Sequence, residues 1–207
     1  MLERRVRDDR WSDGVMLSAS LMPSEGHTIP ILGVYDVLCT CGALMLAQLA
    51  MGHPIRGGID VGTGMEVDGE LFGASIVKAY RLESKRAHHP RLIVGQDLVN
   101  YIKASTTAPG LEAERQLERL MATALLPLIV RDEDREWIVD YAGPKAKEFT
   151  GGLRAADIPI FAEARAFAHR SRSQYQQQGA EGIKLFEYYS RVVRYLDARA
   201  SLWGDAV

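Results

Sequence analysis

The hydrophobic and polar positions of this chain alternate between short apolar runs and longer segments in which apolar residues recur at helical spacing. Helices are predicted at 29–52, 74–87, 112–126, 160–172 and 180–202. Strands are predicted at 11–19, 55–61 and 91–94, with a β-hairpin over 126–141. This alternation predicts an α/β (α+β) fold.

Glycine and proline mark the boundaries between these segments. Residues 65–69 (MEVDG) are predicted to form a turn, and residues 144–158, which contain GPK and TGG, are predicted to form a linking loop. We therefore predict a domain over 1–143 and a C-terminal helical extension over 144–207. A chain of 207 residues is long enough to bury one core without a metal or a disulfide.

The charge balance and the cysteines limit the classes of function. The chain carries 25 Lys and Arg against 27 Asp and Glu, so general nucleic-acid binding is not predicted. Cys39 and Cys41 could bind a metal or form a redox pair, but we favour two small core residues in a reducing compartment. The charged segment 1–13 has no apolar stretch typical of a signal peptide, which predicts a cytoplasmic protein.

The apolar segment from Ile29 to Gly52 has the length of a membrane span. A spanning helix needs about 20 predominantly apolar residues. Asp36, Thr40 and Gln48 interrupt this run, and no aromatic belt flanks it. We therefore predict a buried helix of a soluble domain and no membrane association.

Three separated segments carry candidate chemistry. They are Ser12-Asp13-Gly14, the strand RGGIDVG at 56–62, and LFG at 71–73, which precedes a helix with Lys78 and Arg81. Paired glycines keep a strand accessible to a close neighbour, and packing explains most such pairs. Taken singly, each segment is therefore weak evidence for a site.

Together and in this order, the segments resemble the catalytic domain of class III nucleotidyl (adenylate/guanylate) cyclases. PIRGGIDVG, GELFGASIVKAYRLES and RLIV are similar to the family's Arg-x-Gly-Ile-x-x-Gly strand, its Trp/Phe-Gly turn and its helix ending in Arg-Leu-Glu-Ser. WSDGVMLSA resembles the hairpin strand that carries the second metal aspartate. The pattern is closest to bacterial pyrimidine cyclases of antiphage signalling, and it covers roughly residues 7–101.

The resemblance implies a fold and a reaction. The fold would be a ferredoxin-like, cyclase-type sheet with helices on one face. The reaction would convert a nucleoside triphosphate, UTP or CTP in the pyrimidine cyclases, to a 3′,5′-cyclic nucleotide and pyrophosphate. Two carboxylates of one subunit would hold Mn²⁺ or Mg²⁺, and the partner of a homodimer would supply an arginine for the charge that builds on the phosphoryl oxygens.

The resemblance also assigns roles to individual residues. Asp13 matches the second metal carboxylate, with a turn residue as the alternative. Arg81 matches the arginine that stabilises the transition state. Glu70 falls at the base-selecting position, where an exposed turn glutamate is the alternative, and Arg56 opens the glycine-rich strand as a nucleotide-binding residue.

The chain departs from the family at several positions. Val77 replaces the asparagine that orients the ribose or phosphate, and no lysine lies near Asp9, where the family reads a purine base. The family's first metal carboxylate lies in an upstream Phe-x-Asp-Ile-x-Gly-Phe strand; the residues before Asp13 do not contain it, and Asp8 and Asp9 are poor substitutes. Arg135 is a weaker candidate for a triphosphate contact, with a solvated hairpin charge as the alternative.

Three hypotheses follow. The chain is a homodimeric nucleotidyl cyclase whose sequence lacks its N-terminal piece, or a cyclase-fold remnant that dimerises or binds a nucleotide or partner without turnover. The third is an unrelated α/β protein with a fortuitous glycine pattern. The absent first carboxylate and Val77 favour the remnant, whereas the joint presence of Asp13, the RGGI strand and Arg81 favours the enzyme.

Overall fold

A computed structural model describes residues 6–11, 14–22, 29–152 and 159–204, without the side chains of residues 10, 11, 151 and 152. Its strands are β1 Arg7–Trp11, β2 Gly14–Ser18, β3 Gly57–Ile59, β4 Gly64–Val67, β5 Glu70–Gly73, β6 Leu92–Val94, β7 Ile129–Arg131 and β8 Trp137–Val139. Its helices are α1 Ile31–Ala50, α2 Ala74–Arg86, α3 Gln96–Ser105, α4 Ala113–Leu125, α5 Pro144–Gly152, α6 Ile160–Gln177, α7 Ile183–Asp197 and α8 Ala200–Trp203. The predicted mixture of helix and strand is confirmed.

The described strands form three small sheets. The largest has the order β3-β6-β8-β7, in which β3 and β6 are parallel and the other pairs are antiparallel. The hairpins β1–β2 and β4–β5 form two further sheets of two strands each. The largest sheet is thus mixed, and the finer expectation of a ferredoxin-like, cyclase-type sheet with helices on one face remains a prediction.

The β4–β5 hairpin explains one local error in the sequence analysis. Asp68 and Gly69 both have positive φ, at 52° and 82°, as the two central residues of a type I′ hairpin turn do. The turn therefore occupies only these two residues. The rest of the segment predicted as a turn belongs to β4, which pairs with β5 from Gly64 opposite Gly73 to Val67 opposite Glu70.

Helix α2 packs directly on β3, and the glycine pair of that strand permits the contact. A Cβ on Gly58 would lie 2.3 Å from the carbonyl oxygen of Ala79 and 2.5 Å from the Cβ of Leu82. A Cβ on Gly57 would meet only the end of the Leu92 side chain, at 2.8 Å. The close neighbour that the paired glycines predicted is therefore the backbone of α2.

Helix α1 is the only one in the described ranges that is long and apolar enough to cross a membrane. Its buried residues include Leu38, Met45 and Leu49, which belong to the main hydrophobic cluster. In its most apolar 18-residue window, 39% of the helix is buried inside the protein. A core helix satisfies the same length and composition criterion, so the criterion is weak evidence for a span.

The C-terminal helices share the core of the preceding segment. Phe161 and Ala168 of α6 and Val193 of α7 belong to the same buried cluster as Leu38 and Leu49 of α1. The predicted loop over 144–158 is wrong in its first part, because α5 occupies Pro144–Gly152. The division into a domain and an extension at 143/144 stays a prediction, although the two segments pack against one core.

A buried polar cluster fixes α7 and α8 to the end of β8. The Tyr195 hydroxyl donates to Asp140 Oδ1 at 2.8 Å and accepts from the Ala142 N–H at 3.0 Å. Arg199 Nε also donates to Asp140 Oδ1, at 2.7 Å, and Trp203 Nε1 donates to the Ala142 carbonyl at 2.9 Å. These contacts hold the C-terminal helices in one position.

Candidate functional site

The structure locates three of the four predicted site residues, at three different elements. Arg81 lies on α2 and Glu70 on β5, and both side chains are exposed. Arg56 immediately precedes β3 and is bound to Glu83 of α2, with Arg56 Nε 2.6 Å from Glu83 Oε1. Asp13 lies outside the described residues, so its predicted metal role stays a prediction.

Exposed apolar side chains accompany Glu70 on its hairpin and Arg81 on its helix. Cross-strand pairing places Val67 opposite Glu70 and Met65 opposite Phe72, so these four side chains share one face of the hairpin. The helix that follows exposes Val77 and Tyr80 next to Arg81. We call Met65, Val67, Phe72, Val77 and Tyr80 the apolar surface; each is at least 46% exposed.

Arg81 also lines an open groove of about 390 Å³. The groove is lined by Asp60 and, from α2, by Lys78, Arg81, Leu82, Lys85 and Arg86; we call it the cationic groove. Lys78 Nζ lies 2.5 Å from Asp97 Oδ2, and Arg86 Nε donates to Glu136 at 2.8 Å. In the part of the chain that the structure describes, Arg81 and Lys85 have no ion pair or side-chain hydrogen bond.

Asp60 is the acidic residue of the groove, and its role is structural. Its Oδ1 accepts the N–H of Val61 at 2.9 Å and that of Leu98, in the first turn of α3, at 3.0 Å. This carboxylate satisfies a donor that the start of a helix leaves unpaired. A Cβ on Gly95 would lie 2.1 Å from the carboxylate, so glycine is required beside it.

Arg56 belongs to a different cavity. That cavity, of about 180 Å³, lies between the residues before β3, the turn at 88–90 and α7. Its lining includes Arg56, His88, His89 and Tyr188. Arg56 and Arg81 thus do not converge on one site within a single chain.

The described residues do not supply the two-metal site that the resemblance implies. No group of three His, Cys, Asp or Glu in the described ranges could hold a metal ion. Asp9, one of the substitutes considered for the first carboxylate, accepts hydrogen bonds on its Oδ1 from Arg7 Nε at 3.3 Å and from Arg7 Nη2 at 3.1 Å. Asp60 is engaged by backbone amides. The described part of the chain therefore fits neither Mn²⁺ nor Mg²⁺.

Arg91 is the centre of a buried charge cluster that the sequence analysis missed. Its side chain is 2% exposed, and it donates to Asp132 at 2.6 Å, to Asp134 at 2.7 Å and to the Arg86 carbonyl at 2.8 Å. Both acids lie in the turn between β7 and β8. The sequence predicted only a short buried strand beginning at Arg91, and neither acid is a sequence neighbour.

The same turn binds other elements. Arg194 of α7 donates to Glu133 at 2.7 and 2.8 Å, and buried His89 lies 3.6 Å from Asp132. Burial lowers the pKa of His89 below its usual value, partly offset by Asp132. Burial opposes ionisation of Asp132, but hydrogen bonds from His89 and Arg91 outweigh it and lower the pKa of that carboxyl. We call Arg91, His89 and the acids of this turn the Arg91 cluster.

Two further sequence candidates can be located. Arg135 lies at the β7–β8 turn, exposed, with a φ of 66°, and its predicted triphosphate contact stays a prediction. Cys39 and Cys41 are free, and burial raises the pKa of Cys39 to about 11 and that of Cys41 to about 12. Such thiols are protonated at neutral pH, which agrees with the favoured role as small core residues.

Comparisons of this chain with known protein families, with curated proteins and with solved structures find no match. The proposals below therefore depend on the motif resemblance and on the geometry of the described residues.

Proposed function

We propose that this chain is a nucleotidyl cyclase-like protein that binds a nucleoside triphosphate between two copies and converts it to a 3′,5′-cyclic nucleotide. The ribose 3′ oxygen, losing its proton, bonds to the α-phosphorus, and the bond to the bridging oxygen breaks to release pyrophosphate. UTP or CTP is the proposed substrate, and antiphage signalling in the cytoplasm is the proposed setting.

One observation carries this proposal. Glu70, which the resemblance assigns to base selection, shares a hairpin face with the exposed Met65, Val67 and Phe72. Arg81, which it assigns to the transition state, follows the exposed Val77 and Tyr80 on α2. Soluble monomers rarely leave neighbouring large apolar side chains exposed without a partner. A second copy covering this surface would desolvate Arg81, and a cation removed from water stabilises phosphoryl charge more strongly.

A second candidate function is nucleotide binding without turnover. Val77, at the position of the family's orienting asparagine, has no hydrogen-bonding group, and its side chain is 48% exposed in the apolar surface. Deprived of that contact, the ribose would be held less firmly. Asp9 is bound by Arg7, and Asp60 is bound by backbone amides. These two observations favour a dimeric module that binds the nucleotide and signals without chemistry.

The test is incubation of the full chain with each of the four ribonucleoside triphosphates and Mn²⁺, with separation of cyclic nucleotide and pyrophosphate. We expect product from a pyrimidine nucleotide, and its loss in Arg81→Ala and Asp13→Asn. Lys184→Ala, a change at an exposed lysine of α7 to which no role is assigned, should leave the rate unchanged. Binding of a nucleotide without product would select the second candidate, and absence of both would reject the two together.

The dimer is tested by sedimentation. Phe72→Glu places a charge in the apolar surface, and we expect it to convert a dimer to a monomer. Ile183→Glu is the matched control, because Ile183 is 59% exposed on α7 and lies outside the apolar surface. A wild-type chain that sediments as a monomer at micromolar concentration would contradict the homodimer.

A further inference from the structure

We propose that the cationic groove of a single chain binds a short polyphosphate, and that Lys85 shares this ligand with Arg81. The resemblance gives Lys85 no role. The inference rests on the proposed function only for the source of the ligand, which would be the triphosphate tail of the nucleotide. A free inorganic polyphosphate presents the same chemistry to the groove.

The side chains of the groove lie along one stripe of α2. Arg81 and Leu82 lie three and four residues after Lys78, and Lys85 lies four residues after Arg81; this is the spacing at which side chains of a helix are neighbours. Leu82 is buried; Lys78 and Arg81 precede it along the helix, and Lys85 and Arg86 follow it. The volume of about 390 Å³ lies within the range of small-molecule sites, about 300–1,000 Å³.

The charge of the groove is unbalanced at its middle. Lys78 is neutralised by Asp97 and Arg86 by Glu136. Between them, Arg81 and Lys85 repel one another one turn apart, and no carboxylate among the described residues is paired with either. Glu83, the acid between them in sequence, is bound to Arg56. The unpaired positive charge thus covers one helical turn.

The acids around the groove limit the length of the ligand. A monophosphate would meet the charge of one residue, whereas a chain of phosphates can contact both Arg81 and Lys85. Asp60 lines the groove itself, and Asp97 and Glu136 lie beside the two flanking cations. These acids would repel a polyanion that extended beyond Arg81 and Lys85. This arrangement favours a short polyphosphate over a nucleic-acid strand.

The experiment is a calorimetric titration of the purified chain with inorganic triphosphate at low ionic strength, without divalent metal. We expect saturable binding that weakens about threefold or more in Lys85→Ala and in Arg81→Ala, and about tenfold or more in the double variant. Lys184→Ala is the control: Lys184 lies on α7 over the Tyr188 ring, and its loss should leave binding unchanged. Circular dichroism confirms that each variant is folded.

Several outcomes would overturn the proposal. They are no binding of triphosphate by the wild type, an equal loss in Lys184→Ala, or tighter binding of a single-stranded oligonucleotide than of triphosphate. Parallel titration with UTP and with uridine distinguishes the nucleotide tail from free polyphosphate as the source. Lys85-dependent binding in a chain that forms no cyclic product would support the groove and reject the cyclase. Formation of cyclic product together with unchanged triphosphate binding in Lys85→Ala would support the cyclase and reject the role of Lys85 in the groove.

Discussion

Two groups of charged residues meet α2 in different ways. In the cationic groove, Arg81 and Lys85 project from the exposed face of the helix and lack partners among the described residues. In the Arg91 cluster, a guanidinium that is 2% exposed is bound by two carboxylates and by the last carbonyl of α2. The comparison shows that burial and pairing, more than residue type, separate an arginine that supports the fold from one that is available to a ligand.

The largest effect is expected at the buried arginine. Arg91→Met leaves Asp132 and Asp134 without their principal partner, and losing one member of a buried ion pair costs about 3–5 kcal/mol. We expect the free energy of unfolding, measured with urea, to fall by about 3 kcal/mol. Arg135→Met, in the same turn but exposed, should change it by less than about 0.5 kcal/mol. Equal small effects would show that the cluster is not structural.

The next largest loss of unfolding free energy is expected where α2, which carries the cationic groove and contacts the Arg91 cluster, packs on β3. Gly58→Ala would push a methyl group into the backbone of α2, and overpacking of this kind costs about 1–3 kcal/mol. Gly57→Ala meets only the flexible end of Leu92 and is the matched control, with a smaller loss of unfolding free energy. If Gly57→Ala were the more damaging change, the backbone of α2 would not be the close neighbour that requires a glycine in β3.

A third test uses pH. Burial lowers the folded-state pKa of His89, so as the pH falls through the unfolded value of about 6.5 the unfolded chain takes up the proton first. The unfolding free energy should therefore fall with decreasing pH below about 6.5, by at most about 1.4 kcal/mol per unit for this proton. His89→Gln should remove that part of the slope between pH 7 and 5, whereas exposed His53→Gln should not. If the pH dependence of the unfolding free energy were unchanged in His89→Gln, another group would be responsible for it.

The smallest effect is expected in the groove. Arg81→Ala and Lys85→Ala remove exposed side chains that support no other residue, so unfolding free energies should stay within about 0.5 kcal/mol of the wild type. Thermal and urea unfolding of both variants measure this directly. A loss comparable to that of Arg91→Met would mean that the groove is part of the structural framework.

The elements with a strong local signal were predicted best. The apolar periodicity of α1 and α2 and the glycine strand β3 were located within a few residues, because spacing and turn residues along the chain determine them. Helix α3 was not predicted. The N–H of Leu98 in its first turn donates to the carboxylate of Asp60, which lies 38 residues earlier in the sequence. Local patterns do not contain such a contact.

The candidate site shows the same limit. Exposure of Arg81 follows from helical periodicity, and its proposed role comes from the motif. The buried state of Arg91 could not be predicted, since a charged residue beside an apolar run is usually exposed. The acidic run RDEDR indicates that a cation lies nearby, but the sequence does not identify which one. The glycine pair was correctly linked to a close neighbour, although only the structure identifies that neighbour as α2.

The polar contacts of the β7–β8 region have a consequence for the order of folding. Arg91 meets Asp132 across 41 residues, Tyr195 meets Asp140 across 55, and Arg194 meets Glu133 across 61. Contacts this distant in sequence require loop closure before they give any stabilisation, and they slow folding. We expect the β4–β5 hairpin, closed by two residues, to form early and the docking of α7 to come last. Refolding would then pass through a stage in which α2 and its exposed cations are present while the C-terminal helices are still unattached.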